Sequence, residues 1–89
     1  MKMVVNKCYG GFEVSKAVAE FLELPYAFEA DRYDVRLIDI IENNKMPFNG
    51  EFANLKVVEI PDYATDHCIE EYDGFEHVIY VLDGKIHWA

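Results

Sequence analysis

Cysteine, proline, arginine and basic charge are all scarce in this 89-residue chain, and each shortage excludes something. The two cysteines, Cys8 and Cys68, cannot make a disulfide framework and neither belongs to a CxxC pair, so both thiols are expected to stay free in a reducing cytoplasm. No apolar run approaches a membrane span, and the apolar start at residues 3–5 is far too short for the core of a signal peptide. Eight Lys and Arg face seventeen Asp and Glu, a formal charge of −9. Phosphate contacts need clustered cations, so this balance argues against direct nucleic-acid binding or attachment to an anionic membrane. It suits a soluble protein or one with a basic partner.

Apolar and aromatic residues are plentiful. At 52% and 15% of the chain they are too many for a disordered protein. Residues 1–89 read as one domain, small enough that its core is limited and a homo-oligomer would help.

The clearest architectural signal is at residues 66–88, where three short strands are separated by Asp73-Gly74 and Asp83-Gly84. Asp-Gly supplies the positive φ angles of a two-residue type I′ turn, so the segment predicts a tight antiparallel meander. Two-residue loops fix the register: Tyr72 faces Phe75, Glu70 faces His77, Cys68 faces Ile79, Leu82 faces Lys85, Val81 faces Ile86, and Ile79 faces Trp88. Alternation then sorts the side chains into two faces. Cys68, Tyr72, Phe75, Ile79, Val81, Ile86 and Trp88 share the more apolar face, with Glu70 and His77 at its rim, and this face is expected to be the core side. The opposite face carries His67, Ile69, Glu71, Glu76, Val78, Tyr80, Leu82, Lys85 and His87.

Upstream, residues 2–6 read as a buried strand and residues 7–12 as a glycine-containing loop. A helix is predicted over 15–24, with Ser15 as N-cap and Pro25 as the stop. A second is predicted over 33–43, with Asp31 as N-cap and Asn43-Asn44 as terminator. Residues 55–60 show almost no polar–apolar alternation, which predicts a strand buried on both faces and placed beside the first. The order predicts an α+β two-layer sandwich: a mixed sheet of about five strands, with a C-terminal antiparallel meander and two helices.

The best candidate site is the strand–loop–helix at residues 4–19. Paired glycines, Gly10-Gly11, let backbone N–H groups approach a ligand, and Lys7 and Asn6 add a positive charge and a directional hydrogen bond. The spacing matches neither GxGxxG nor the P-loop, so a structural turn is the competing reading. Cys8 sits beside Lys7 but has no base nearby in sequence, and Cys68 reads as core packing. His67 and His87 fall too far apart on one face to share a metal, while His77 and Cys68 point the other way. Arg32 and Arg36, the only arginines, stand one helical turn apart and offer a bidentate grip on a carboxylate or phosphate. No catalytic set and no cofactor emerge from these residues.

The block Val4-Val5-Asn6-Lys7-Cys8-Tyr9-Gly10-Gly11-Phe12 resembles the opening of a family of small uncharacterised proteins from bacteriophages and prophages. The later blocks Leu55-Lys56-Val57-Val58-Glu59-Ile60-Pro61-Asp62 and Ile69-Glu70-Glu71-Tyr72-Asp73-Gly74, with Glu76, Arg32 and Asp34, are similar to the same family. The resemblance covers about half the chain. It implies a phage or prophage origin and a cytoplasmic setting in a bacterial host, and it marks Asn6, Lys7, Cys8, Gly10, Gly11 and Arg32 as positions of interest without assigning roles. The resulting expectation is a non-enzymatic binding module for a host or phage protein, with Tyr9 and Arg36 completing the candidate surface. The alternative is a binder of nucleotide-like anions at the Gly10-Gly11 loop; an acidic mimic of nucleic acid is a third.

Overall fold

A computed structural model, describing residues 1–89, contains β1 (Lys2–Asn6), α1 (Lys16–Phe21), α2 (Val35–Glu42), β2 (Leu55–Glu59), β3 (Asp66–Tyr72), β4 (Phe75–Leu82) and β5 (Lys85–Trp88). The α+β class, the two helices, the five strands and the C-terminal meander are as predicted. The strands do not share one mixed sheet: β1 and β2 form an antiparallel ribbon, and β3, β4 and β5 form a separate antiparallel sheet. The open edge of β1 explains the division. Val4 donates its N–H to the Arg32 carbonyl at 2.9 Å, and Asn6 donates its N–H to the Glu76 carboxylate at 2.7 Å. With those groups taken, no strand of the meander can pair there.

Both hairpins have the predicted register, Tyr72 opposite Phe75 and Leu82 opposite Lys85. Their turns carry the required angles, φ 49° and 86° at Asp73-Gly74 and 52° and 72° at Asp83-Gly84.

The helices are shorter than expected, for local reasons. Ser15 caps α1 through its hydroxyl, which accepts from Val18 N–H at 3.1 Å. The helix stops before Pro25, because Glu23 turns left-handed at φ 57°. Leu24 and Glu23 then return their N–H groups to Ala19 and Glu20, a Schellman ending. In α2 the cap is Asp34 rather than Asp31: Asp34 accepts from Arg36 N–H at 2.9 Å, while Asp31 makes its own turn with Tyr33 N–H. Asn44, at φ 48°, ends α2 as its position predicts.

The ribbon is the middle of three layers. Val4 and Leu55 face Val14, Val18, Leu37 and Ile40 of the helical layer, while Met3 and Val5 face Val78 of the meander. β2 contributes to both cores, Val57 on the helical side and Val58 on the other.

The meander turns the opposite face inward from the one expected. Val78 and Glu76 are buried and Ile69 packs beside them, whereas Tyr72, Ile86 and Trp88 are 73%, 66% and 61% exposed. Cys68 is exposed too, so it is no core residue. Burial follows where the ribbon lies: the inward Glu76 accepts from Asn6 N–H of β1 and pairs with Arg32, which reaches in from the segment before α2.

Candidate functional site

The glycine loop folds against the first hairpin turn. Gly10 donates its N–H to the Asp73 carbonyl at 3.0 Å, and Gly11 donates to Phe52 O at 3.1 Å. A Cβ on Gly74 would lie 1.8 Å from Gly10 O, and one on Gly10 would lie 1.9 Å from Phe52 O. Glycine is needed at both positions because backbone meets backbone.

Asn6, fully buried, is the hub of this junction. Its side-chain amide donates to Cys8 O at 3.0 Å and Gly74 O at 2.8 Å, and its carbonyl accepts from Asn54 N–H at 2.7 Å. The Cys8 thiol lies 3.4 Å from both Asn6 Oδ1 and Phe52 O, with no histidine among its hydrogen-bond partners. A buried asparagine this fully bonded holds chain segments in place.

Arg32 adds a second anchor. Its guanidinium grips Glu76 at 2.6 and 2.7 Å, donates to Val4 O at 3.2 Å, and lies 3.9 Å over the Phe12 ring. The fork-on-carboxylate geometry foreseen for an arginine is present, with an internal carboxylate as its target. Arg36 is not brought to this cluster. It closes on Asp34 at the exposed start of α2, and that contact holds the Asp34 carboxyl below its ordinary range.

Lys7 lies at the corner where the loop meets the sheet. Its ammonium donates to Ala89 O at 3.1 Å and stands 5.8 Å over the Phe75 ring. Burial pulls its pKa below the ordinary 10.5, with Glu76 opposing that shift. Beside the loop a groove of about 320 Å³ is lined by Gly10, Gly11, Phe12, Glu13 and Phe52. Its one ionisable side chain is a carboxylate. A larger open groove, about 490 Å³, runs along α1 and is lined by Glu13, Glu20 and Glu51 with Lys16. Both suit an anion poorly.

The histidines are dispersed. His67 meets the Tyr33 hydroxyl at 3.1 Å, His87 stacks on Tyr80, and His77 lies between Phe75 and Trp88. No three His, Cys, Asp or Glu side chains converge as metal ligands would.

Reading the sequence for a site missed the outer face of the meander. Tyr9, Phe75, His77 and Trp88 make a string of aromatic contacts across it, with centroids 5.4, 5.3 and 6.1 Å apart. Next to them, a depression of about 100 Å³ is lined by Asp66, His67, Cys68, Ile79, Val81 and Ile86. The apolar alternation was legible; nothing in it says that the face has no cover. No helix is long and apolar enough to cross a membrane. Compared with known proteins, the chain matches no family model, no curated protein and no solved structure.

Proposed function

We propose that the chain is a small non-enzymatic protein-binding module of the phage or prophage accessory type, working in the host cytoplasm through the outer face of its meander. One observation carries this reading: on a sheet whose other face is already packed, Tyr72, Ile86 and Trp88 stand exposed beside half-buried Phe75, Ile79 and Val81. A sheet with one buried face ordinarily solvates the other with polar side chains. An apolar, aromatic second face has the composition of an interface centre. The anion-binding alternative has less behind it, because the Gly10 and Gly11 amides and the Arg32 guanidinium are engaged within the fold.

Affinity capture from host lysate, with wild type beside Ile86→Glu, tests the reading. Ile86 lies outside both cores, so the two proteins should melt alike, and a partner held stoichiometrically by wild type should be lost by the variant. A partner retained equally by both would refute use of this face. So would native mass spectra showing a tightly held small molecule and no protein partner.

A further inference from the structure

We infer that the outer face of the meander receives a cationic amphipathic helix of a partner protein. The inference rests on the docking face proposed above and adds the chemistry of its occupant. Charge selects the occupant. From Glu59 to Gly84 the chain carries eight carboxylates and no Lys or Arg. Of these, only Glu76 meets a side-chain cation, and it points inward. Asp66 and Glu70 share the outer face with Cys68 and Tyr72, and Asp73 and Asp83 stand in the turns at its two ends. The nearby cation, Lys7, is tucked at one corner against Ala89 and Phe75, and Lys85 belongs to the opposite face. The face is therefore an apolar strip bordered by unpaired negative charge. A second copy would bring a formal −9 against −9, whereas a basic partner is drawn in and held in register.

The shape of the face suits a helix. Strands lie about 4.8 Å apart, so three of them present a face about 10 Å between its outer strands. A helix is about 10 Å across with its side chains. The molecule already uses this packing on its other sheet, where α2 lies across β1 and β2. The depression between Cys68, Ile79, Val81 and Ile86 offers a seat for one large apolar side chain of the incoming helix.

Trp88, the only tryptophan, stands on this face and reports on it directly. The full chain is titrated with a synthetic Leu/Lys amphipathic helix, and separately with a Leu/Glu helix having the same apolar face. The Leu/Lys helix should shift Trp88 emission to the blue and bind more tightly than the Leu/Glu helix. Its binding should weaken with salt as the Debye length falls from about 10 Å at 0.1 M to about 3 Å at 1 M. Ile86→Glu makes the protein more acidic yet should weaken binding about tenfold or more, because it breaks the apolar centre. Asp66→Lys with Glu70→Lys should weaken it through charge alone.

Four results would overturn the inference. Equal affinity for the two helices, or preference for Leu/Glu, removes the basic partner while leaving the docking face intact. Binding that ignores Ile86→Glu and leaves Trp88 emission unmoved belongs to some other acidic surface. A concentration-dependent blue shift without peptide, abolished by Ile86→Glu, makes a second copy the occupant. Binding of neither helix also ends the inference, and the capture comparison then decides separately whether the face docks anything.

Discussion

Arg32→Ala is the most informative single perturbation of the fold. Arg32 holds Glu76 through two short hydrogen bonds, and the two side chains are 24% and 6% exposed. Truncation leaves the Glu76 carboxylate with Asn6 N–H as its remaining donor. Removing one member of a buried ion pair costs about 3–5 kcal/mol, since the other charge stays behind without compensation. Partial exposure lets some water reach Glu76, which favours the lower end, about 3 kcal/mol. In a domain of this size each kcal/mol moves the melting temperature by roughly 4–8 °C, so the variant should melt about 12–24 °C lower. Glu76→Gln should cost less, about 1.5–3 kcal/mol: it keeps an acceptor for Asn6, and the freed guanidinium can reach water. Arg36→Ala, at an exposed pair, is the control and should barely move the transition. Thermal and urea unfolding of the three variants give the ranking. An Arg32→Ala protein as stable as Arg36→Ala would show that the pair does not hold the meander to the ribbon.

Other expectations follow from particular contacts. In a side-chain NMR titration Lys7 should lose its proton below 10.5 and Lys2 above it, the first through burial and the second through its bond to Glu42. The signs are opposite for stability: the Lys2 contribution is fully present below 10.5 and fades as pH rises through its folded pKa, whereas the cost of burying charged Lys7 is relieved over the interval between its lowered pKa and 10.5. With an aromatic disulfide reagent Cys68 should react fast and Cys8 slowly, because Cys68 is exposed and Cys8 is half-buried against Asn6 and Phe52; equal rates would mean that the glycine loop opens freely. Gly84→Ala should cost about 1–2 kcal/mol for its left-handed backbone. Gly74→Ala should cost more in the same urea assay, since its Cβ would also meet the Gly10 carbonyl.

The local rules were legible in the sequence. Asp-Gly dictated both turns, and with them every cross-strand pair of the meander; Ser15 and Asn44 marked helix ends. The readings that failed depended on distant residues. Glu76 looks like a solvent-facing charge in an alternating strand, and only an arginine 44 positions away makes its burial tolerable. Counting apolar side chains therefore selected the wrong face as core. Similarly, Asn6 and the Gly10-Gly11 pair have the residue types of a ligand loop. What they bind in the structure is the chain itself, at Asn54, Phe52, Asp73 and Gly74, and no spacing rule encodes those meetings.

The central position of β1 also sets an order of events during synthesis. Of the five strands it is made before the others, yet Asn6 closes onto Glu76, 70 residues later. At about 5–20 residues per second the ribosome needs roughly 4–14 s to supply that partner. Until then Met3 and Val5 lack the Val78 side of their cover, whereas the helical and β2 partners of Val4 have already been made. The meander side of the core therefore closes only after β4 is made, while the helical side has all its residues once β2 is complete.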